Sequence, residues 1–371
     1  MPKYTDIFNA LQKEILDGKF AEKRRLPSEA ELCHRYKVSR PTAARALREL
    51  QQLGVIRRKG GSGSYLVSPK GLPGNTSLKF GLFVPGLGNT EILEPICTEI
   101  NRFAQSLGCT VLVEDGMQPI LSGESALQVC RQFIDLPVAG VFFTPIESIP
   151  DRELWNRRIA EEFLKNRIPL LLLDRDMGEF PSRSEFDLVG IDNVAAAIEI
   201  TQHLLSQGRR RICFLARPHF PSTTELRLLG CREAVRRNGG EATFDRFGDP
   251  GDANFVLQIL EKDKPNAILC SNDQTAAILM RTLVQLGHKI PGDIAVAGFD
   301  DVRYARLLAP PLSTIRQPCR ELGRSAVQML LERISNATLP PRQILHSHEL
   351  VVRQSTVGHD PRYPSMRETN V

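Results

Sequence analysis

Apolar residues set the rhythm at the start of the chain. Ile7, Leu11 and Ile15 stand at i, i+4 and i+8, which predicts a helix over residues 4–16 with one buried face and Gly18 at its end. Ser28-Glu29-Ala30-Glu31 reads as a capping box that opens a second helix, with Ser28 and Glu31 each satisfying the other's backbone donor. A third helix is predicted over residues 39–53, with Leu47, Leu50 and Leu53 facing inward. Residues 55–67 then read as two short strands around Gly60-Gly61-Ser62-Gly63.

The rhythm breaks over residues 68–77, where Pro69, Gly71, Pro73, Gly74 and Asn75 make a linker. Beyond it, short apolar runs alternate with helical patterns. Strands are predicted over residues 79–84, 110–114, 138–144, 170–173, 188–191, 211–216, 267–270 and 294–298. Helices are predicted over residues 91–107, 151–165, 194–207, 223–238 and 275–286, among others. Such alternation argues for doubly wound parallel sheets, and a stretch of this length argues for two α/β lobes with a cleft between them. Residues 358–371 are polar and read as a tail.

Charge divides the chain the same way. Of 371 residues, the first 70 carry 15 Lys+Arg against 7 Asp+Glu, a net of +8, while the remainder carries 33 against 36, a net of −3. A basic head on a nearly neutral body suggests that the head alone meets a polyanion; a solvated basic surface is the plain alternative. The eight cysteines form no C-x-x-C and have no histidine at metal spacing. Several lie in apolar runs, as Cys213 does, so buried free thiols in a reducing cytoplasm are expected. No targeting segment opens the chain and no apolar run approaches the ~18 residues of a membrane span.

Chemistry in the head lies at the start of the third helix. Ser39 caps it and puts Arg40 and Thr42 in the first turn, where backbone amides and the helix dipole favour phosphate. Arginine there can pair with guanine in a major groove, and threonine can touch a phosphate or a thymine methyl. Arg45 and Arg48 follow, and Lys59 with its glycines suits a minor groove. A solvated helix face is the alternative for any one of these arginines.

Catalytic patterns are missing: there is no Ser-His-Asp order, no H-E-x-x-H and no phosphate-binding G-x-x-x-x-G-K. Gly86-Leu87-Gly88 reads as a turn, and His346-Ser347-His348 as a structural pair on one face of a strand. No catalytic residue, metal or cofactor is therefore expected.

Residues 4–67 resemble the DNA-binding domain of the GntR family, a winged helix-turn-helix. The matching residues are Leu26-Pro27-Ser28-Glu29, Val38-Ser39-Arg40, Thr42, Ala46-Leu47, Leu50, Gly54-Val55-Ile56 and Gly61-Ser62-Gly63-Ser64-Tyr65. The resemblance implies a double-stranded DNA partner and a DNA-contacting set of Ser28, Ser39, Arg40, Thr42, Arg45, Arg48, Lys59, Gly61, Ser62 and Gly63. One departure is Ala44, where the family usually has a basic residue; Arg45 sits one step on, about 100° round the helix.

A second set of residues follows at regular intervals. It comprises Asp192-Asn193, Ala197, His203-Leu204, Gly208, Arg211-Ile212, Arg227 to Gly230, Cys270 to Asp273, Val296 to Asp301, Pro311 to Ile315 and Glu349 to Thr356. Residues 78–357 thereby resemble the effector domain of LacI/GalR regulators, which is similar to periplasmic sugar-binding proteins. Ala196 stands where that family usually has glycine. The whole arrangement resembles arabinose-repressor-type regulators of the GntR family.

That resemblance implies a head over residues 1–67 and three crossings between lobes. Lobe one would hold about residues 78–209 and 317–345, and lobe two about 210–316 and 346–357. It also implies that Asp192, Arg227, Asn272 and Asp300 meet an effector. Since a sugar face can stack on an aromatic ring, Phe83, Phe220 and Phe299 are the candidate walls, with core packing the plainer role for Phe83 and Phe299. Carboxylate, amide and guanidinium groups suit neighbouring sugar hydroxyls. The plain alternatives are a helix cap for Asp192, a turn for Asn272, loop acids for Asp300 and Asp301, and an ion pair for Arg227. The expected function is a homodimeric repressor of carbohydrate-use genes, bound to a palindromic operator and released by a sugar. An activator, a regulator sensing a purine or phosphorylated metabolite, and an α/β enzyme with a DNA-binding head are the alternatives.

Overall fold

A computed structural model describes residues 4–16, 19–20, 25–52, 56–59, 63–66, 78–85, 92–113, 122–147, 149–178, 180–218 and 220–357. Gly18, Leu53, Gly60 to Ser62, the linker, Gly86 to Gly88 and the tail lie outside them. The head consists of α1 (Tyr4–Leu16), α2 (Glu29–Tyr36), α3 (Arg40–Gln52) and the antiparallel strands β1 (Ile56–Lys59) and β2 (Gly63–Leu66). Ile7, Leu11 and Ile15 bury one face of α1 against Leu32, Leu47, Leu50 and Ile56. The capping box of α2 forms as expected: Glu31 N–H donates to Ser28 Oγ at 3.2 Å, and Ser28 N–H donates to Glu31 Oε2 at 2.6 Å.

The body is built on two six-stranded sheets. The first runs in the order β13-β7-β6-β5-β3-β4, all parallel. Its strands are β3 (Lys79–Phe83), β4 (Thr110–Val113), β5 (Gly140–Phe143), β6 (Leu170–Leu173), β7 (Asp187–Ile191) and β13 (Gln343–His346). The second runs β14-β12-β11-β10-β8-β9. Its strands are β8 (Arg211–Ala216), β9 (Ala242–Phe247), β10 (Ala267–Cys270), β11 (Ala295–Asp300), β12 (Ser313–Arg316) and β14 (Glu349–Val351), and only β14 pairs antiparallel. The helices between strands are α4 (Leu93–Ser106), α5 (Gly123–Asp135), α6 (Arg152–Lys165), α7 (Asn193–Ser206), α8 (Ser222–Arg237), α9 (Ala253–Asp263), α10 (Asp273–Gln285), α11 (Cys319–Ser335) and α12 (Gln354–Val357). Central strands are apolar on both faces: β5, β6 and β10 are buried along their whole length, as helix-covered parallel sheets require.

Two expectations need correction. Helix α7, expected in lobe one, packs on α8, β12 and β14 of lobe two. Gly230 permits this, because a Cβ there would lie 2.4 Å from the Val194 carbonyl oxygen and 2.7 Å from Ala197 Cβ. The first crossing therefore falls at Asp192, just after β7. His346 and His348, expected on one strand face, lie on opposite sides of a crossing instead. His346 ends β13 and pairs with Ser325 at 2.9 Å in lobe one, whereas His348 precedes β14 and pairs with Glu199 of α7 at 2.8 Å. The remaining crossing joins β12 to α11, which covers the first sheet. No helix among the described residues is long and apolar enough to cross a membrane.

Candidate effector cleft and DNA-binding face

On the head, Arg40 and Arg48 are exposed on α3 and make no ion pair among the described residues. Ser39 departs from the expected cap chemistry. Its hydroxyl meets the Thr42 hydroxyl at 2.9 Å, while its carbonyl accepts from the Thr42 and Ala43 amides, each at 3.1 Å. Arg45 is turned back on α1: its guanidinium lies 3.8 Å from the Tyr4 ring centre and 3.8 Å from Glu49. The Ser28 hydroxyl is already engaged in its helix cap. Arg58 is held by Glu29, whereas Arg57 is exposed on β1. Lys59 ends β1, and Gly63 opens β2 at φ 112°, a conformation that favours glycine. The Arg25 side chain passes this glycine, 3.3 Å from where a Cβ would stand. Arg57 belongs to the basic hairpin that the sequence shows but, like Arg25, was not counted among the expected DNA contacts. Gly61 and Ser62 lie outside the described residues.

In the body, the carboxyl ends of both sheets face a cleft. Arg227, Asn272 and Asp300 line it together, joined by Asp174 and Arg175 from the end of β6 and by Thr223, Thr224 and Gln274. Arg227 projects from α8 and is held on several sides. Its Nε donates to Asn193 Oδ1 at 2.8 Å, its Nη1 donates to the Ser271 carbonyl at 2.6 Å, and its Nη2 lies 3.6 Å from Asp300 Oδ1. The guanidinium carbon sits 4.5 Å above the Phe299 ring, so Phe299 supports the site from beneath. Asp300 accepts from Gln317 Nε2 at 2.8 Å and sits at φ 109°, a strained position for a side-chain-bearing residue at a strand end. Burial pushes its carboxyl above the ordinary range, and the Arg227 charge opposes that. Asn272 caps α10, accepting from Thr275 N–H at 2.8 Å, and still lines the cleft.

Opposite, Arg175 is buried and bound to Glu147, with Asp174 Oδ2 3.5 Å from its Nε. Burial pushes the Glu147 carboxyl up to about 7, against the pull of Arg175. Asp174 and Arg175 were not picked out from sequence; the signal was an acid–base pair directly after the apolar run Leu170 to Leu173.

Two expected residues stand elsewhere. Asp192 is exposed and caps α7, accepting from Ala195 N–H at 2.9 Å; its neighbour Asn193 is the one that reaches Arg227. Phe220 stacks on Phe247 with ring centres 5.0 Å apart and does not line the cleft. Of the other aromatics weighed as walls, Phe83 is core, packed against Phe133 and Phe143.

Comparison with known proteins agrees with this geometry. Residues 3–66 match the bacterial regulatory proteins of the gntR family, and residues 201–356 match a periplasmic binding protein-like domain. The chain is 26% identical to the arabinose metabolism transcriptional repressor of Geobacillus stearothermophilus, over 96% of this chain and 98% of that protein. It is 28% identical to the HTH-type transcriptional repressor CytR of Escherichia coli, over 86% and 93% of the two chains. Among solved structures, the lac repressor dimer bound to operator and the anti-inducer ONPF superposes with a TM-score of 0.65 at 25% identity, covering 76% of this chain and 96% of that one. The complex of the regulator CelR with cellobiose also gives 0.65, at 22% identity over 86% and 91%.

Fold, cleft and likenesses together define a DNA-binding transcriptional regulator with a ligand-binding body, rather than an enzyme. More particularly, the chain joins a gntR-type helix-turn-helix head to a periplasmic-binding-protein-like domain of the kind found in LacI-type regulators.

Proposed function

We propose that the protein is a cytoplasmic, homodimeric repressor of carbohydrate-use genes, bound to a palindromic operator and released by a neutral sugar. The working division is a head over residues 1–67, a linker over 68–77 and a body over 78–357, with α7 assigned to lobe two. The observation that carries the reading is the Arg227–Asp300 pair in the cleft. Both cleft guanidiniums already face carboxylates, Arg227 with Asp300 and Arg175 with Asp174 and Glu147. Such balanced donors and acceptors suit hydroxyl groups better than a phosphate, which would need surplus positive charge. Relatives named for arabinose metabolism and the ribose operon, and a neighbour solved with cellobiose, support a sugar.

In this reading α3 enters the major groove, with Arg40 and Arg48 as its cationic contacts. Ser28, Thr42 and Gly63 complete the DNA face with Lys59, Gly61 and Ser62. Arg45, held by Tyr4 and Glu49, serves as a brace to α1. Asn272 and Asp174 join Arg227 and Asp300 in holding the sugar. The effector favours a closed form that grips operator poorly, and a coupling of about 1–3 kcal/mol suffices for such a switch.

The test is thermal unfolding of the full chain against monosaccharides, disaccharides, sugar phosphates and purines, followed by operator release with any hit. Selective stabilisation by one neutral sugar that also releases DNA is expected. Stabilisation by a phosphorylated compound or purine alone would replace the sugar reading.

A further inference from the structure

Beneath the floor of the cleft lies a carboxyl group that no ligand reaches. Asp273 opens α10, is fully buried, and directly follows the cleft residue Asn272. Its two oxygens both bind the far side of the site. Oδ2 accepts from the Val302 amide at 3.0 Å, and Oδ1 accepts from the Thr314 hydroxyl at 2.6 Å. The Thr314 oxygen in turn accepts from the Asp301 amide at 3.4 Å. Asp273 therefore holds the main chain after β11 at two points, directly at Val302 and through Thr314 of β12 at Asp301.

That stretch of main chain needs holding. Asp300 and Asp301 stand in succession at φ 109° and 51°, a conformation that residues with side chains rarely adopt. Such strain persists only where the surroundings over-determine it. Arg316 and Arg353 hold the Asp301 side chain, but the backbone amides go to Asp273 and Thr314. Gly298 leaves the room for this, since a Cβ there would lie 2.4 Å from Asp273 Oδ1. Burial, with Asp300 nearby, holds the Asp273 carboxyl well above its ordinary range, so an uncharged amide is its natural substitute. Among the described residues no hydrogen bond joins Asp273 to Asp300, which is bonded to Gln317 and faces Arg227 instead.

We propose that Asp273 is a positioning residue for the effector site: by tying residues 301–302 to the start of α10, it fixes Asn272 against Asp300 and aims the Asp300 carboxyl at Arg227. Its bearing on effector binding rests on the proposed reading of the cleft. The placement of Asp300 does not, and can be read without any ligand.

The deciding experiment is the crystal structure of the ligand-free full chain as wild type, Asp273→Asn, Asp273→Ala and Thr314→Val. In Asp273→Asn the amide oxygen can accept from the Val302 amide while its NH2 donates to Thr314 Oγ1, so Asp300 should stay bonded to Gln317. In Asp273→Ala nothing replaces either bond, and Asp300 should leave both Gln317 and Arg227. Thr314→Val removes one bond and no charge; it decides the matter if the alanine variant does not fold, and should displace Asp300 likewise. Asp300 still in place in both the alanine and the valine variants would overturn the proposal, as would its displacement in Asp273→Asn. Calorimetric titration with arabinose, ribose and cellobiose, the sugars named for relatives and a structural neighbour, gives the functional consequence. At least about tenfold weaker binding is expected for Asp273→Ala and a loss within about twofold for Asp273→Asn, the scale of one net hydrogen bond. If none of the three binds the wild type, it is the choice of sugar that fails, and the crystal structures still decide the role of Asp273.

Discussion

Under the proposed function, Arg227 is the side chain on which response should depend most. It joins Asn193, the Ser271 carbonyl and Asp300 through one planar fork, and lysine cannot reproduce that geometry. Arg227→Lys is expected to bind operator as wild type does but to require at least about 100-fold more effector for release, measured by fluorescence anisotropy of labelled operator; losing a partner of a buried charged pair costs about 3–5 kcal/mol. Glu147 gives a second test. Its carboxyl is raised from 4.5 to about 7 in the folded chain, so folding takes up a proton there. Its ionised form therefore opposes folding above about pH 7, and that penalty is relieved as pH falls towards 4.5. Asp300 and Asp273 are also raised by burial and act in the same direction. Glu147→Gln should lower, without abolishing, the rise in melting temperature between pH 7 and pH 5 seen by calorimetry.

The sequence could show Asn272 and Asp300 because each is a polar residue just past the carboxyl end of a predicted strand, whereas Arg227, on the helix after such a strand, was pointed to by the family resemblance. It misled at Asp192, where a carboxylate that can cap a helix does so, and Asn193 turns inward instead. Phe220 misled because an aromatic ring finds another ring, Phe247, as readily as a sugar.

At the scale of the element, α3 carries the DNA hypothesis. Arg40 is exposed in its first turn, while Arg45 lies over Tyr4. Arg40→Ala should weaken operator binding and flatten its salt dependence by about one counterion, whereas Arg45→Ala should change affinity much less and lower thermal stability instead. Equal losses of operator affinity would return Arg45 to the DNA face. Element boundaries in the body were legible wherever an apolar run was long and bounded, as in β6, β8 and β10. Strands β9, β12, β13 and β14 were not assigned, for a physical reason in most of them. β9, β13 and β14 are sheet edges, only partly buried, and so lack a continuous apolar signal. The lobe of α7 was illegible as well, because the packing that sets it needs the absence of a Cβ at Gly230, on a different helix.

For the whole molecule, the coupling between cleft and head must run both ways. If effector weakens operator binding by some factor, operator must weaken effector binding by the same factor. Calorimetric titration of effector into the free protein and into its operator complex should give that same ratio. Unequal ratios would mean that the two ligands do not share a single pair of states.

The three crossings have a consequence for the order in which the protein becomes complete during synthesis. The head is one contiguous stretch and can fold once its residues have emerged, since domains fold as units from the N-terminus. Neither lobe is contiguous. The first sheet lacks its edge strand until His346 has been made, and the second until Val351. Competence to touch DNA is therefore gained early, and competence to be told to let go is gained almost last. A frameshift or stop codon between residues 70 and 340 would spare the reader and destroy the listener.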